Sequence, residues 1–142
     1  MAHYRDSVSN YDLLNLGDFE FQCGAVLNDA NLAYKTYGKL YDEGSNAVLI
    51  AVPVNGTHQD AASIHIEGEN RAITPEKHFI IIPDMFGDGL SSSPSNTQSP
   101  FEGADFPSVT IYDNVRAQHI LVTEKLGISK FCLLYTSDAA DE

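Results

Sequence analysis

Two kinds of hydrophobic pattern follow one another along this chain. Near the start, Phe19 and Phe21 alternate with Glu20 and Gln22, and Leu32-Ala33-Tyr34-Lys35-Thr36-Tyr37 alternates again. Asn28-Asp29 supplies turn chemistry between the two segments, which predicts an antiparallel pair of half-buried strands. Ala47-Val48-Leu49-Ile50-Ala51-Val52 and Phe79-Ile80-Ile81-Ile82 are instead continuously apolar and stop at Pro53 and Pro83. Such runs fit strands of a parallel sheet covered on both faces, and the roughly 25 residues between them suffice for a crossover. Thr110-Ile111-Tyr112-Asp113 has capping-box spacing, so a helix is predicted to start there. Ile111, Val115, Val122 and Leu126 give it one apolar stripe, and Gly127 stops it. His119 beside that stripe reads as a partly buried helix residue. Cys132-Leu133-Leu134-Tyr135 then predicts a third buried strand, whereas residues 1–16 read as a loose leader. The order strand, crossover, strand, crossover, strand defines the α/β class.

Composition narrows the picture without changing it. A chain of 142 residues, 43% hydrophobic and 20% charged, suits one soluble domain. No stretch approaches the roughly 18 apolar residues that span a bilayer. The polar start, MAHYRDSVSNYD, has no signal-peptide core, so a cytoplasmic protein is expected. Eight basic against 20 acidic residues give a net charge of −12, which argues against nucleic acid and anionic membrane as partners. Two cysteines, Cys23 and Cys132, make neither a disulfide framework nor a zinc-type pair, and Cys23 has no base near it in sequence to activate its thiol.

Candidate chemistry lies after each buried strand. Asp84-Met85-Phe86-Gly87-Asp88-Gly89-Leu90-Ser91 places two glycines at a strand's carboxyl end, where open α/β sheets bind ligands. It lacks the third glycine of a phosphate loop, and the plainer reading is a tight turn capped by serines. Val54-Asn55-Gly56-Thr57-His58 is either a plain strand exit or a loop that aims N–H groups at a developing oxyanion. His58, Asp60, His65 and Glu67 are rich in metal-ligand types, but their spacing matches no helical His-x-x-x-His pattern, and no metal is expected.

Taken together, several stretches resemble the homoserine O-acetyltransferase-like branch of the α/β-hydrolase superfamily. They are Leu32 to Leu40, Ser45 to Leu49, Gly56-Thr57-His58, Phe86 to Asn96, Phe106-Pro107 and Val109 to Gln118. Within it, Phe-Gly-Asp-Gly-Leu-Ser-Ser-Ser-Pro-Ser-Asn looks closer to the broader hydrolases than to the biosynthetic enzyme, and Ala61-Ala62-Ser63-Ile64 stands where the family usually has a tryptophan. The resemblance implies an α/β-hydrolase fold, with N-terminal antiparallel strands leading into a parallel sheet covered by helices. It also implies a Ser-His-Asp triad whose acyl-serine is resolved by an alcohol or by water. Acetyl-CoA would be the co-substrate and a small hydroxylated amino acid the acceptor, with a place in methionine biosynthesis. No cofactor beyond that is implied. One oxyanion donor would be the backbone N–H of Val54, with Asn55 and Gly56 beside the substrate. Hydrolysis of a small ester or amide on the same fold is the alternative, and a short acidic interaction protein is a non-enzymatic one.

The tail departs from that family. The strand after Lys130 should run into Gly-x-Ser-x-Gly, whose glycines let strand and helix backbones approach closely. Around Ser137 stand Thr136, Asp138, Ala139 and Ala140, with no glycine. Residues 132–142 can be encoded by DNA resembling a transposon-end sequencing adapter. Residues 1–131 therefore read as the N-terminal part of one α/β-hydrolase domain without its triad, and 132–142 as a non-native tail. A parallel strand is still expected around 130–135, beside Ala47–Val52, because its apolar side chains suit that slot.

Overall fold

The computed structural model of the chain describes residues 8–135, less the side chains of Glu43, Leu133 and Tyr135. Among the described residues seven strands are present: β1 (Asp12–Asn15), β2 (Phe19–Glu20), β3 (Val26–Leu27), β4 (Asn31–Tyr37), β5 (Ala47–Ile50), β6 (Phe79–Pro83) and β7 (Leu133–Tyr135). Five form one sheet in the order β1-β4-β6-β5-β7, and β2 and β3 pair separately. The β1–β4 and β4–β6 pairs are antiparallel, while β5 lies parallel to both β6 and β7. Antiparallel strands thus lead into a parallel part, as the α/β reading expects.

The continuous apolar runs are explained by two-sided burial. Successive side chains of a strand point to opposite faces. Ala47, Leu49 and Ile81 enter one core, which Ala117 and Leu121 close from above. Val48, Ile50, Ile80 and Ile82 enter a second core with Ala61, Ala62 and Ile66. The two helices, α1 (His58–His65) and α2 (Ile111–Ile120), thus supply opposite covers for the sheet.

Several expectations need correction. Residues 12–15 are not loose leader; they form β1 and pair with β4 from Asp12 opposite Tyr34 to Asn15 opposite Asn31. The segment containing Phe19 does not pair with residues 32–37. It folds back on Val26–Leu27, and β4 goes to the main sheet instead, with Leu32, Ala33 and Tyr34 all buried. In α2, Ile111 and Val115 face out, at 77% and 52% exposure. The inward positions are Asp113, Asn114 and Ala117, and His119 is exposed. A π-helical turn over Leu121–Lys125 then changes the helical phase, so Val122 is buried although it shares the predicted stripe. Gly127 ends the element with φ 66°. The predicted strand at 132–135 is present and parallel to β5, but it is an edge: Cys132 is exposed and Leu134 is 59% exposed. Ser137 lies outside the described residues.

Candidate active site

Because β5 and β6 run parallel, the loops that follow them leave the same edge of the sheet. The first loop turns at once. Gly56 N–H donates to the Pro53 carbonyl at 2.9 Å, closing a turn in which Asn55 takes φ 62°. A Cβ at position 56 would stand 2.5 Å from Pro53 Cγ, so only glycine fits. Val54 sits at the tip, 85% exposed, and among the described residues nothing accepts a hydrogen bond from its N–H.

Thr57 caps α1. Its N–H donates to Asp60 Oδ2 at 2.7 Å, which satisfies a backbone donor that the first helical turn leaves open. His58, the next residue, is 2% exposed. Its N–H donates to Asp84 Oδ1 at 2.7 Å, and its Nδ1 lies 2.6 Å from Asp84 Oδ2. Asp84 is fully buried just beyond the carboxyl end of β6, and the Tyr11 ring lies 5.6 Å from the imidazole. A carboxylate oxygen accepts hydrogen bonds, so the geometry suits an Nδ1–H donor facing Asp84 Oδ2. Asp84 also colours its surroundings. Burial pushes the Tyr37 phenol above its ordinary 10.0, and the carboxylates of Glu67 and Asp84 add to that rise.

The second loop is a network of serines. Gly89 N–H donates to Ser93 Oγ and Gly87 N–H to the Ser92 carbonyl. Leu90 and Ser91 N–H both reach Asp88 Oδ1. Ser91 Oγ donates to the Asp84 carbonyl and accepts from Ala33 N–H, while Ser92 Oγ accepts from Asn31 N–H. The serine hydroxyls therefore prolong the partnering of β4 past the end of β6. Ser91 and Ser92 hydroxyls are thus engaged with backbone, as in a serine-capped turn. From behind, Asn114 Oδ1 of α2 accepts the Phe86 N–H at 2.8 Å.

Of the sequence candidates, Val54, Asn55 and Gly56 share one turn, and His58 is held beside them. His58, Asp60, His65 and Glu67 do not converge; among the described residues no group of three or more His, Cys, Asp or Glu side chains is placed to hold a metal ion. Sequence reasoning missed Asp84 as the partner of His58. Its signal was a carboxylate directly after the apolar run 79–83, a position that needs a local partner when buried. No helix among the described residues is long and apolar enough to cross a membrane.

The geometry defines the carboxyl edge of a mixed α/β sheet, and comparison with known proteins gives it relatives. No protein-family model matches the sequence. The chain is 39% identical over 124 residues to an ethyl acetate hydrolase of Pseudomonas veronii, covering 87% of this chain and 35% of that protein. It is 33% identical over 151 residues to a homoserine O-acetyltransferase of Rhodopseudomonas palustris, covering 94% of this chain and 37% of that protein. Among solved structures, the acetyl esterase MekB superposes with a TM-score of 0.87 at 36% identity, over 93% of this chain and 38% of that one. An acetylester hydrolase from Corynebacterium glutamicum gives 0.84 at 38% identity, over 89% and 36%. The chain is therefore similar to the N-terminal part of esterases and homoserine O-acyltransferases with the α/β-hydrolase fold. It spans about a third of the length of the curated relatives it matches.

Proposed function

We propose that the chain is the oxyanion-side part of an acyl-transfer enzyme that works through an acyl-serine. Ester hydrolysis is the first reading and acetyl transfer from acetyl-CoA to a small hydroxylated amino acid the second. The observation that carries it is the Val54 turn. Its N–H, unengaged among the described residues, lies at the carboxyl edge of β5, and β7 runs parallel alongside β5. In this branch a nucleophile elbow would follow the strand in the place of β7, and its serine would emerge next to that N–H. Hydrolysis comes first because relatives named as esterases reach 39–40% identity, against 33–36% for those named as homoserine acyltransferases. The acyltransferase relatives are the reason to keep the second.

On this reading the chain alone lacks a nucleophile with its base, and p-nitrophenyl acetate should give neither burst nor turnover. A burst abolished by Ser137→Ala would overturn that expectation. The test of function is a chimera in which residues 8–131 replace the matching segment of the Pseudomonas veronii hydrolase. The chimera should cleave ethyl acetate, and Val54→Pro, which removes the N–H, should lower kcat about 10²–10³-fold with KM little changed. A folded chimera whose kcat ignores Val54→Pro rules out the oxyanion role. Supplying acetyl-CoA with and without homoserine separates transfer from hydrolysis.

A further inference from the structure

We propose that Asp84 and His58 form a positioning clamp that fixes the direction of the Val54 N–H. Its catalytic consequence rests on the acyl-transfer reading, but the clamp itself is a property of this chain.

The clamp has two arms on one residue. Asp84 Oδ1 takes the His58 backbone N–H and Oδ2 takes the His58 ring N–H, so a single carboxylate fixes both the chain and its side chain. Both partners are almost wholly excluded from solvent, which strengthens each bond and makes losing one partner costly. Asp84 is itself immobile. Its N–H continues the β4 ladder to the Ala33 carbonyl at 2.8 Å, and its carbonyl accepts from Ser91 Oγ. The force chain thus runs from the sheet through Asp84 to His58 and Thr57. From Thr57 it passes to Gly56, whose N–H closes the turn on Pro53 with Val54 at its tip. The clamp thus ties the link between β5 and α1 to the sheet, in addition to the Gly56–Pro53 turn and the cap on Thr57. A donor preorganised toward an oxyanion is worth more than one that must reorient, which gives such a clamp its use.

The ring arm makes a distinctive demand. Free neutral imidazole distributes its proton between both nitrogens, whereas Asp84 selects the Nδ1–H form. The test uses the whole 142-residue chain, with two-bond proton–nitrogen spectra of His58, 15N relaxation at Val54, and amide exchange at Gly56 and Thr57. The wild type should show the Nδ1–H tautomer and a rigid Val54. His58→Ala should speed exchange at Gly56 and Thr57 about tenfold and loosen Val54, with Ile81 unchanged. His58→Asn, whose amide N–H can stand where Nδ1–H stood, should restore both. Asp84→Asn should keep the backbone arm but switch the ring to the Nε2–H tautomer. A wild-type ring in the Nε2–H form overturns the clamp. So does a Val54 indifferent to His58→Ala, or equal acceleration at Ile81. In the esterase chimera, His58→Ala should reduce kcat about tenfold at constant KM. If the clamp signals hold in the chain while the chimera ignores Val54→Pro, the oxyanion role of Val54 fails and the clamp stands.

Discussion

The two helices start alike and are anchored in opposite ways. Each opens at a threonine followed three residues later by an aspartate, Thr57 to Asp60 in α1 and Thr110 to Asp113 in α2. In α2 the capping acid is fully buried and does two jobs. Asp113 Oδ2 accepts from Thr110 N–H at 3.0 Å, and Oδ1 reaches out to the backbone N–H of Gln22 at 2.9 Å. Arg116, one turn on, donates to the Glu20 carbonyl and lies over the Phe19 ring. That helix grips the β2–β3 pair with its own side chains. In α1 the capping acid is only partly buried, and the strand does the gripping, through Asp84 onto His58. A helix that carries its own anchor reveals it in its local sequence. One that is anchored from a neighbouring strand does not.

This difference orders the expected effects of substitution. Asp113→Ala should be the most damaging, since it removes a fully buried carboxylate that accepts from the N–H groups of Gln22 and Thr110 at once. We expect a loss of about 3–4 kcal/mol in urea unfolding, with β2–β3 and α2 released together. A loss below about 1 kcal/mol would show that α2 does not anchor the pair. Gly56→Ala comes next, because the added Cβ meets Pro53 at 2.5 Å and the turn must open. It should cost about 1–3 kcal/mol and show first as faster amide exchange at Thr57. Asp60→Ala, which removes the cap on Thr57, should cost about 1 kcal/mol and leave the His58–Asp84 pair intact. If it costs as much as Asp113→Ala, the contrast between the two helices collapses.

The smallest effect is electrostatic. Tyr34 and Tyr37 both hold their protons more tightly folded than unfolded, chiefly through burial, with Asp12 adding to the first and Glu67 and Asp84 to the second. A raised folded value means that stability is fully present below the ordinary 10.0 and declines as pH rises from there through the folded value. An ultraviolet titration of the phenols should therefore find Tyr37 ionising late. Asp84→Asn should bring its midpoint down and leave that of Tyr34 in place. Equal movement of both would mean a general loosening rather than a charge felt across the sheet.

How much of this was open to the sequence follows the same division. The parallel strands were legible because two-sided burial leaves uninterrupted apolar runs, and Ala47–Ile50 and Phe79–Pro83 are such runs. The start of α2 was legible from Thr110 and Asp113, and its end from Gly127. Its buried face was not, because Asp113 and Asn114 point inward while Ile111 and Val115 point out, and a hydrophobic pattern cannot report buried polar anchors. Helix α1 was missed because eight residues with only Ala61 and Ala62 as buried apolar positions leave no stripe. Strand β1 was missed because Asp12-Leu13-Leu14-Asn15 is a short edge whose outer residues are exposed. The site shows the same limit. Val54, Asn55 and Gly56 could be placed by resemblance and by their position after a buried strand, whereas Asp84 and His58 are 26 residues apart and meet only in the folded sheet.

The bond from Gln22 to Asp113 spans 91 residues, and that from Arg116 to Glu20 spans 96. During synthesis, at about 5–20 residues per second, the β2–β3 pair therefore waits roughly 5–20 s for its anchoring helix to be made. Through that interval Phe19 and Phe21 lack the cover that α2 brings, including Arg116 over the Phe19 ring, and they leave aromatic surface exposed on a nascent chain. Chaperone engagement and misfolding of this protein should thus be decided on the ribosome, before α2 emerges, and slowing translation over residues 30–110 should lower its soluble yield.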